Sequence, residues 1–142
     1  MRLKPVIILD DAKKMLAAGE AEAIKNNWNI VIAILDDAGI LVALHRMDGA
    51  RPGNPEIAIQ KARTSALTQR SSKIWEDWVN GGKISSTTMP LLTVRGGLPI
   101  IIEGECVGSI GVSGVASHQD EQVAIAAIAA AFPNYSTVRP GD

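Results

Sequence analysis

Ten residues of this sequence have the chemistry to hold a small anion and to move a proton on it. Arg46 and Asp48 follow one apolar run. Lys61, Thr64 and Ser65 stand at i, i+3 and i+4, which is one face of a helix. Arg95 and the backbone amides of Gly96 and Gly97 precede a second apolar run, Ser113 closes the run after it, and Asp120 sits in the first turn of a final helix. If these element ends converge, Arg forks, a Lys ammonium, free amides and three hydroxyls give a cationic pocket suited to a carboxylate ligand. Asp48 and Asp120 are the candidate catalytic groups, since a desolvated carboxyl can act as general acid or base.

Each residue also has a plainer role. Arg46 and Asp48 can lock a turn, Lys61 can be a solvated helix cation, and Asp120 suits the positive end of its helix dipole. Gly96-Gly97 can be a bulge. His45 and His118 are the only histidines, and no spacing of His, Cys or carboxylates predicts a metal site. Gly96-Gly97 completes neither a dinucleotide fingerprint nor a phosphate loop. Gly111-Val112-Ser113-Gly114 falls one residue short of a nucleophile elbow.

The elements that must position these groups follow from periodicity. Asp10 or Asp11 opens a helix through Asn26, with Ala12, Met15, Leu16, Ala23 and Ile24 on its apolar face. Ile30–Leu35 and Ile40–Leu44 flank Asp36-Asp37-Ala38-Gly39, the composition of a hairpin turn. Asn54 and Pro55 start a helix to about Gln69, and Ser71 or Ser72 starts a short one carrying Trp75 and Trp78 on a shared face. Leu98–Ile102 and Cys106–Val112 form a second hairpin around Glu103-Gly104-Glu105, and Ser117 opens a helix that runs to Phe132 and stops at Pro133. Val6–Leu9 and Met89–Val94 are further short strand candidates. Hairpins dominate, so the sheet is antiparallel and the class is α/β in the α+β sense. One domain is expected over residues 1–132, with a flexible tail over 133–142.

Composition narrows the function. With 14 Lys and Arg against 15 Asp and Glu, the chain has no basic footprint for nucleic acid or a membrane surface. Five aromatic residues are too few for base-stacking platforms. No apolar run spans a bilayer. The first residues meet Asp10-Asp11 too soon for a secretory signal, and the single Cys106 suits a reducing compartment, so the expected location is the cytoplasm.

The ordered set LDDAGILVALHRMDGA, IAIQKARTSALTQ, RGGLPIIIEGECVGSIGVSG and QDEQVA resembles the GlcG/HbpS family, which includes the C-terminal domain of PduO-type proteins. The likeness runs from Asp10 to Phe132. It implies a profilin-like fold with an antiparallel five-stranded sheet flanked by helices, and assembly into homo-oligomers from dimer to octamer. Some members bind haem, and others accompany enzymes of glycolate, propanediol or aromatic catabolism. Haem is therefore the possible cofactor, with Arg46, Lys61 and Arg95 meeting its propionates. Unlike some haem-binding members, this chain has no histidine in its first helix. Two functions stand side by side: a cytoplasmic small-ligand protein binding haem or a related tetrapyrrole, and a small enzyme of deaminase, dehalogenase or tautomerase type acting on an unsaturated or aromatic-derived carboxylic acid. Arg46, Lys61, Thr64, Ser65, Arg95, Gly96, Gly97 and Ser113 are the candidate ligand-binding residues; in the second reading Arg95, Lys61 and the Gly96 and Gly97 amides bind the acid, and Asp48 or Asp120 transfers the proton.

Overall fold

Two hairpins make the sheet of the computed structural model, which describes residues 1–142. β1 (Val31–Asp36) and β2 (Leu41–Arg46) are joined by a turn in which Asp36 Oδ1 accepts the N–H groups of Ala38 and Ile40 at 2.9 and 3.0 Å. β3 (Gly97–Ile102) and β4 (Glu105–Ser113) are joined through Glu103 and Gly104, both left-handed at φ 50° and 81°. Two consecutive left-handed residues match the right-handed twist of the flanking strands. β1 also pairs antiparallel with β4, Val31 opposite Ser113, so the strand order is β2-β1-β4-β3.

The sheet has four strands, not the five that the family resemblance implied. Ile7 donates a single backbone hydrogen bond to Val107 O at 3.0 Å, and the chain turns helical two residues later. Met89–Val94 stays irregular around Pro90, which has no N–H to give a ladder.

There are four α-helices, α1 (Leu9–Lys25), α2 (Asn54–Thr68), α3 (Lys73–Asn80) and α4 (Ser117–Ala131), of which α1, α2 and α4 cover the sheet. A short 3-10 helix, Ile84–Thr88, lies where the sequence suggested only polar loop. α1 starts by its third residue: Asp11 accepts the Ile8 N–H at 3.0 Å.

Alternation in β1 sorts the core. Ile32 and Ile34 face α1 and α4 together with Ile110 and Val112, while Val31, Ala33 and Leu35 meet Ala58 and Ala62 of α2. On the α2 side, Gly97 and Gly111 pair directly across β3 and β4. A Cβ on Gly97 would stand 2.1 Å from Lys61 O, and one on Gly111 2.1 Å from Ala58 O. These glycines therefore let α2 lie with its backbone against the sheet, which fixes the height of Lys61 above β3 and β4.

Residues after α4 return to the sheet: Ser136 exchanges two backbone hydrogen bonds of 2.8 Å with Ile101 in the stretch expected to be flexible. No helix is long and apolar enough to cross a membrane.

Candidate functional site

Strand polarity brings several element ends to one side of the molecule. The N-terminal ends of β1 and β3 and the C-terminal end of β4 lie there, because Val31 pairs with Ser113 and Gly97 with Gly111. The first turns of α2 and α4 join them. Between these ends is a cavity of about 380 Å³, with Lys61 and Asp120 at its floor and Arg51, Asn54, Ser113 and Ser117 around it.

The floor is an ion pair removed from water. Lys61 Nζ donates to Asp120 Oδ2 at 2.8 Å and to Val112 O at 3.0 Å, while Asp120 Oδ1 accepts the Val115 N–H at 3.1 Å. Lys61 is 2% exposed and Asp120 1%. Burial pushes the Asp120 carboxyl above its usual range, against the opposing pull of the Lys61 charge and hydrogen bond. Gly96 makes room for the ammonium: at φ +125° it has no Cβ, and one added there would lie 2.9 Å from Lys61 Nζ.

Of the ten residues singled out by sequence, Lys61, Ser113 and Asp120 line this cavity. Ser113 Oγ donates to Asn54 Oδ1 at 3.3 Å. Thr64 is buried and donates to Leu92 O at 2.7 Å, holding the irregular segment against α2. Ser65 is buried under Gly97 with no hydrogen-bond partner. The Gly97 N–H is taken by Ser72 Oγ at 2.9 Å, and Gly96 O accepts the Val112 N–H at 3.0 Å. Arg95 forks onto Glu121, with Nε and Nη2 at 2.8 and 3.1 Å from its two oxygens. Its backbone N–H reaches Glu76 Oε1 at 3.4 Å.

Arg46 and Asp48 lie elsewhere. Both are exposed and border a separate open cleft of about 530 Å³ with Glu20 and His45. The register sets Arg46 opposite Val31 in the same row as Ser113, so Arg46 is two strands away from the cavity, roughly 10 Å. His45 Nδ1 is 2.6 Å from Glu20 Oε1.

Sequence reasoning missed three contributors. Arg51 stands at the cavity mouth, is exposed, and takes part in none of the molecule's ion pairs. Its signal was a cation three residues before the helix start at Asn54. Ser117 lines the cavity and donates to Glu76 Oε2 at 3.2 Å. Glu76 itself gave no sequence signal, because its partners lie 19 and 41 residues away.

The arrangement can hold an anionic group near Arg51 and the first turns of two helices, above a carboxyl able to exchange a proton. None of the 11 lining residues is His, Cys, Met or Tyr, the side chains that ligate haem iron, so a haem does not fit this cavity. No group of three or more His, Cys, Asp or Glu side chains is arranged to hold a metal ion.

Residues 7–129 match the family model described as haem degrading protein HbpS-like. The chain is 45% identical to Protein GlcG of Escherichia coli strain K12 over 114 residues, 80% of this chain and 85% of that protein. In structure it resembles Klebsiella pneumoniae protein ORFY, with TM-score 0.85 and 26% identity over 92% of this chain and 94% of that one. It also resembles PduOC crystallised as a haem complex, with TM-score 0.83 and 27% identity over 94% and 99% of the two chains.

Proposed function

The chain belongs to the HbpS-like family, and from that premise we propose that it binds a small organic anion in the cavity above Lys61 and Asp120. One observation carries the reading. A lysine and an aspartate, each almost fully buried, form the floor of an open cavity instead of lying inside the core, and Arg51 stands uncommitted at the mouth. Such a pair loses its hydration on burial, so a wholly structural role would be served as well by apolar residues. A carboxylate at Arg51 lies within reach of the first-turn amides of α4, and Asp120 is the group able to move a proton on a bound unsaturated or aromatic-derived acid.

The test is a titration of isotope-labelled protein with a panel of small carboxylic acids at neutral pH. Saturable amide shifts are expected over Ser113–Asp120, and Arg51→Gln should abolish them while leaving the remaining spectrum in place. A panel in which no acid produces a saturable shift sinks the reading.

Haem enters as a second reading at a different place. His45 and Arg46 border the open cleft, and Glu20 holds His45 Nδ1 at 2.6 Å, leaving the other ring nitrogen to face outward. A carboxylate that orients one imidazole nitrogen this way is the usual support for a metal-ligating histidine. The likeness to a protein crystallised with haem supports it. Haem titration should then give a Soret band that His45→Ala removes; a band unchanged by that variant overturns the assignment.

We further propose that the protein works in the cytoplasm, in keeping with its one free, buried thiol, Cys106. The family likeness supports assembly into a homo-oligomer. The helix α3, with no buried residue, carries Trp78 in edge contact with Trp75 and is the face expected to pack between copies. Sedimentation of Trp78→Lys should show smaller species than the parent protein; an unchanged profile removes α3 from the interface.

A further inference from the structure

The charges around the cavity decide which anions it can hold. Lys61 is matched by Asp120, and Arg95 by Glu121. Arg51 is the lining cation left without a carboxylate partner. Glu76 stands behind Ser117, and its negative charge reaches the floor, where it helps to push the Asp120 carboxyl up. The rest of the lining carries no charge: Asn54, Ser113 and Ser117 are neutral polar groups beside Ile57, Leu92, Val94 and Val115.

One anionic group on the ligand is therefore matched, by Arg51. A second would have to face Asp120, the field of Glu76, or the uncharged wall, losing its water without gaining a cation. The volume of about 380 Å³ has room for roughly ten water-sized groups beyond the charged end. We propose that the cavity selects monocarboxylates with an apolar body and rejects dicarboxylates of the same length. The selectivity rests on the reading that this cavity binds organic anions at all, and it places the apolar end of the ligand against Ile57 and Leu92.

Hexanoate and adipate have the same six-carbon backbone and differ by one carboxylate, so they isolate the charge. Their affinities are to be measured by calorimetry at pH 7.5 with the full chain. Hexanoate should bind at least about tenfold more tightly than adipate. Asp120→Asn frees the Lys61 ammonium and should narrow that gap or reverse it. Glu76→Gln, a change on a helix with no buried residue, should narrow it in the same direction and serves if the Asp120 variant does not fold. Adipate binding as well as hexanoate overturns the selectivity while leaving anion binding intact. A gap untouched by both variants removes its assigned cause. Binding of neither acid overturns the selectivity together with the reading beneath it.

Discussion

Lys61 and Asp120 show how one pair of side chains ties stability to pH. The native Asp120 carboxyl holds its proton more tightly than an unfolded one, because burial outweighs the help from Lys61. The native state thus binds more protons than the unfolded state across that window. Its stability from this group is highest below the ordinary carboxylate range and falls as pH rises from about 4 through the raised native value. Removing the cation should widen the effect. Lys61→Met leaves Asp120 buried without a counter-charge and should cost about 3–5 kcal/mol at neutral pH, with much less lost near pH 4, where the carboxyl is protonated. Urea unfolding at the two pH values measures this, and a loss independent of pH would remove the electrostatic coupling. Ser113 and Asp120 were legible in the sequence because they are polar groups at element ends, and Lys61 because it shares a helix face with Thr64 and Ser65. Arg51 and Glu76 were not, because nothing local distinguishes an unpaired loop arginine or a helix glutamate whose partners arrive only on folding.

Elements were more legible than their contacts. Both hairpins announced themselves through apolar runs around acidic, Gly-containing turns, and the four α-helices through their apolar or aromatic spacing and their Asp, Asn-Pro or Ser starts. The sequence was silent on the 3-10 turn at Ile84–Thr88, whose composition is that of any polar loop. The packing role of Gly97 and Gly111 shows only on folding, when the α2 backbone comes against both of them. Steric cost follows from that contact. Gly111→Ala would set a methyl 2.1 Å from Ala58 O, a backbone atom that cannot move without lifting α2 from the sheet. The expected loss is about 3 kcal/mol. Gly53→Ala, with nothing within 4 Å of the added carbon, should be nearly neutral. Thermal denaturation of the two variants side by side checks the claim, and equal melting temperatures would contradict it. Lifting α2 also displaces Lys61, so the Gly111 variant should weaken carboxylate binding more than its melting temperature alone accounts for.

Across the whole molecule the chain divides its work between the two ends of β4, a strand of nine residues and so roughly 27 Å long. The Ser113 end holds the cavity. At the Glu105 end the chain closes on itself. Arg2 pairs with Glu105, Lys4 reaches Asp37 and Cys106 O at 3.0 Å each, and Ile7 bonds Val107. Ser136 bonds Ile101 on the outer edge of β3. Each terminus thus covers strand edges that would otherwise offer unpaired backbone groups to another chain. Cys106 lies under this closure, 2% exposed, with burial pushing its thiol up, so it is both shielded and protonated at neutral pH. It serves as a reporter of that end alone. Removing residues 134–142 should unseal the β3 edge, lower the melting temperature and speed the reaction of Cys106 with a thiol reagent. Carboxylate binding at the Ser113 end should stay within about twofold of the parent, because the deleted residues reach α2 only past its last turn, where Arg139 donates to Gln69 Oε1 at 2.8 Å and Asp142 pairs with Arg70 at 3.4 Å, and make no hydrogen bond to Lys61 or Asp120. Loss of binding in step with faster thiol labelling would instead mean that the two ends open as one cooperative unit.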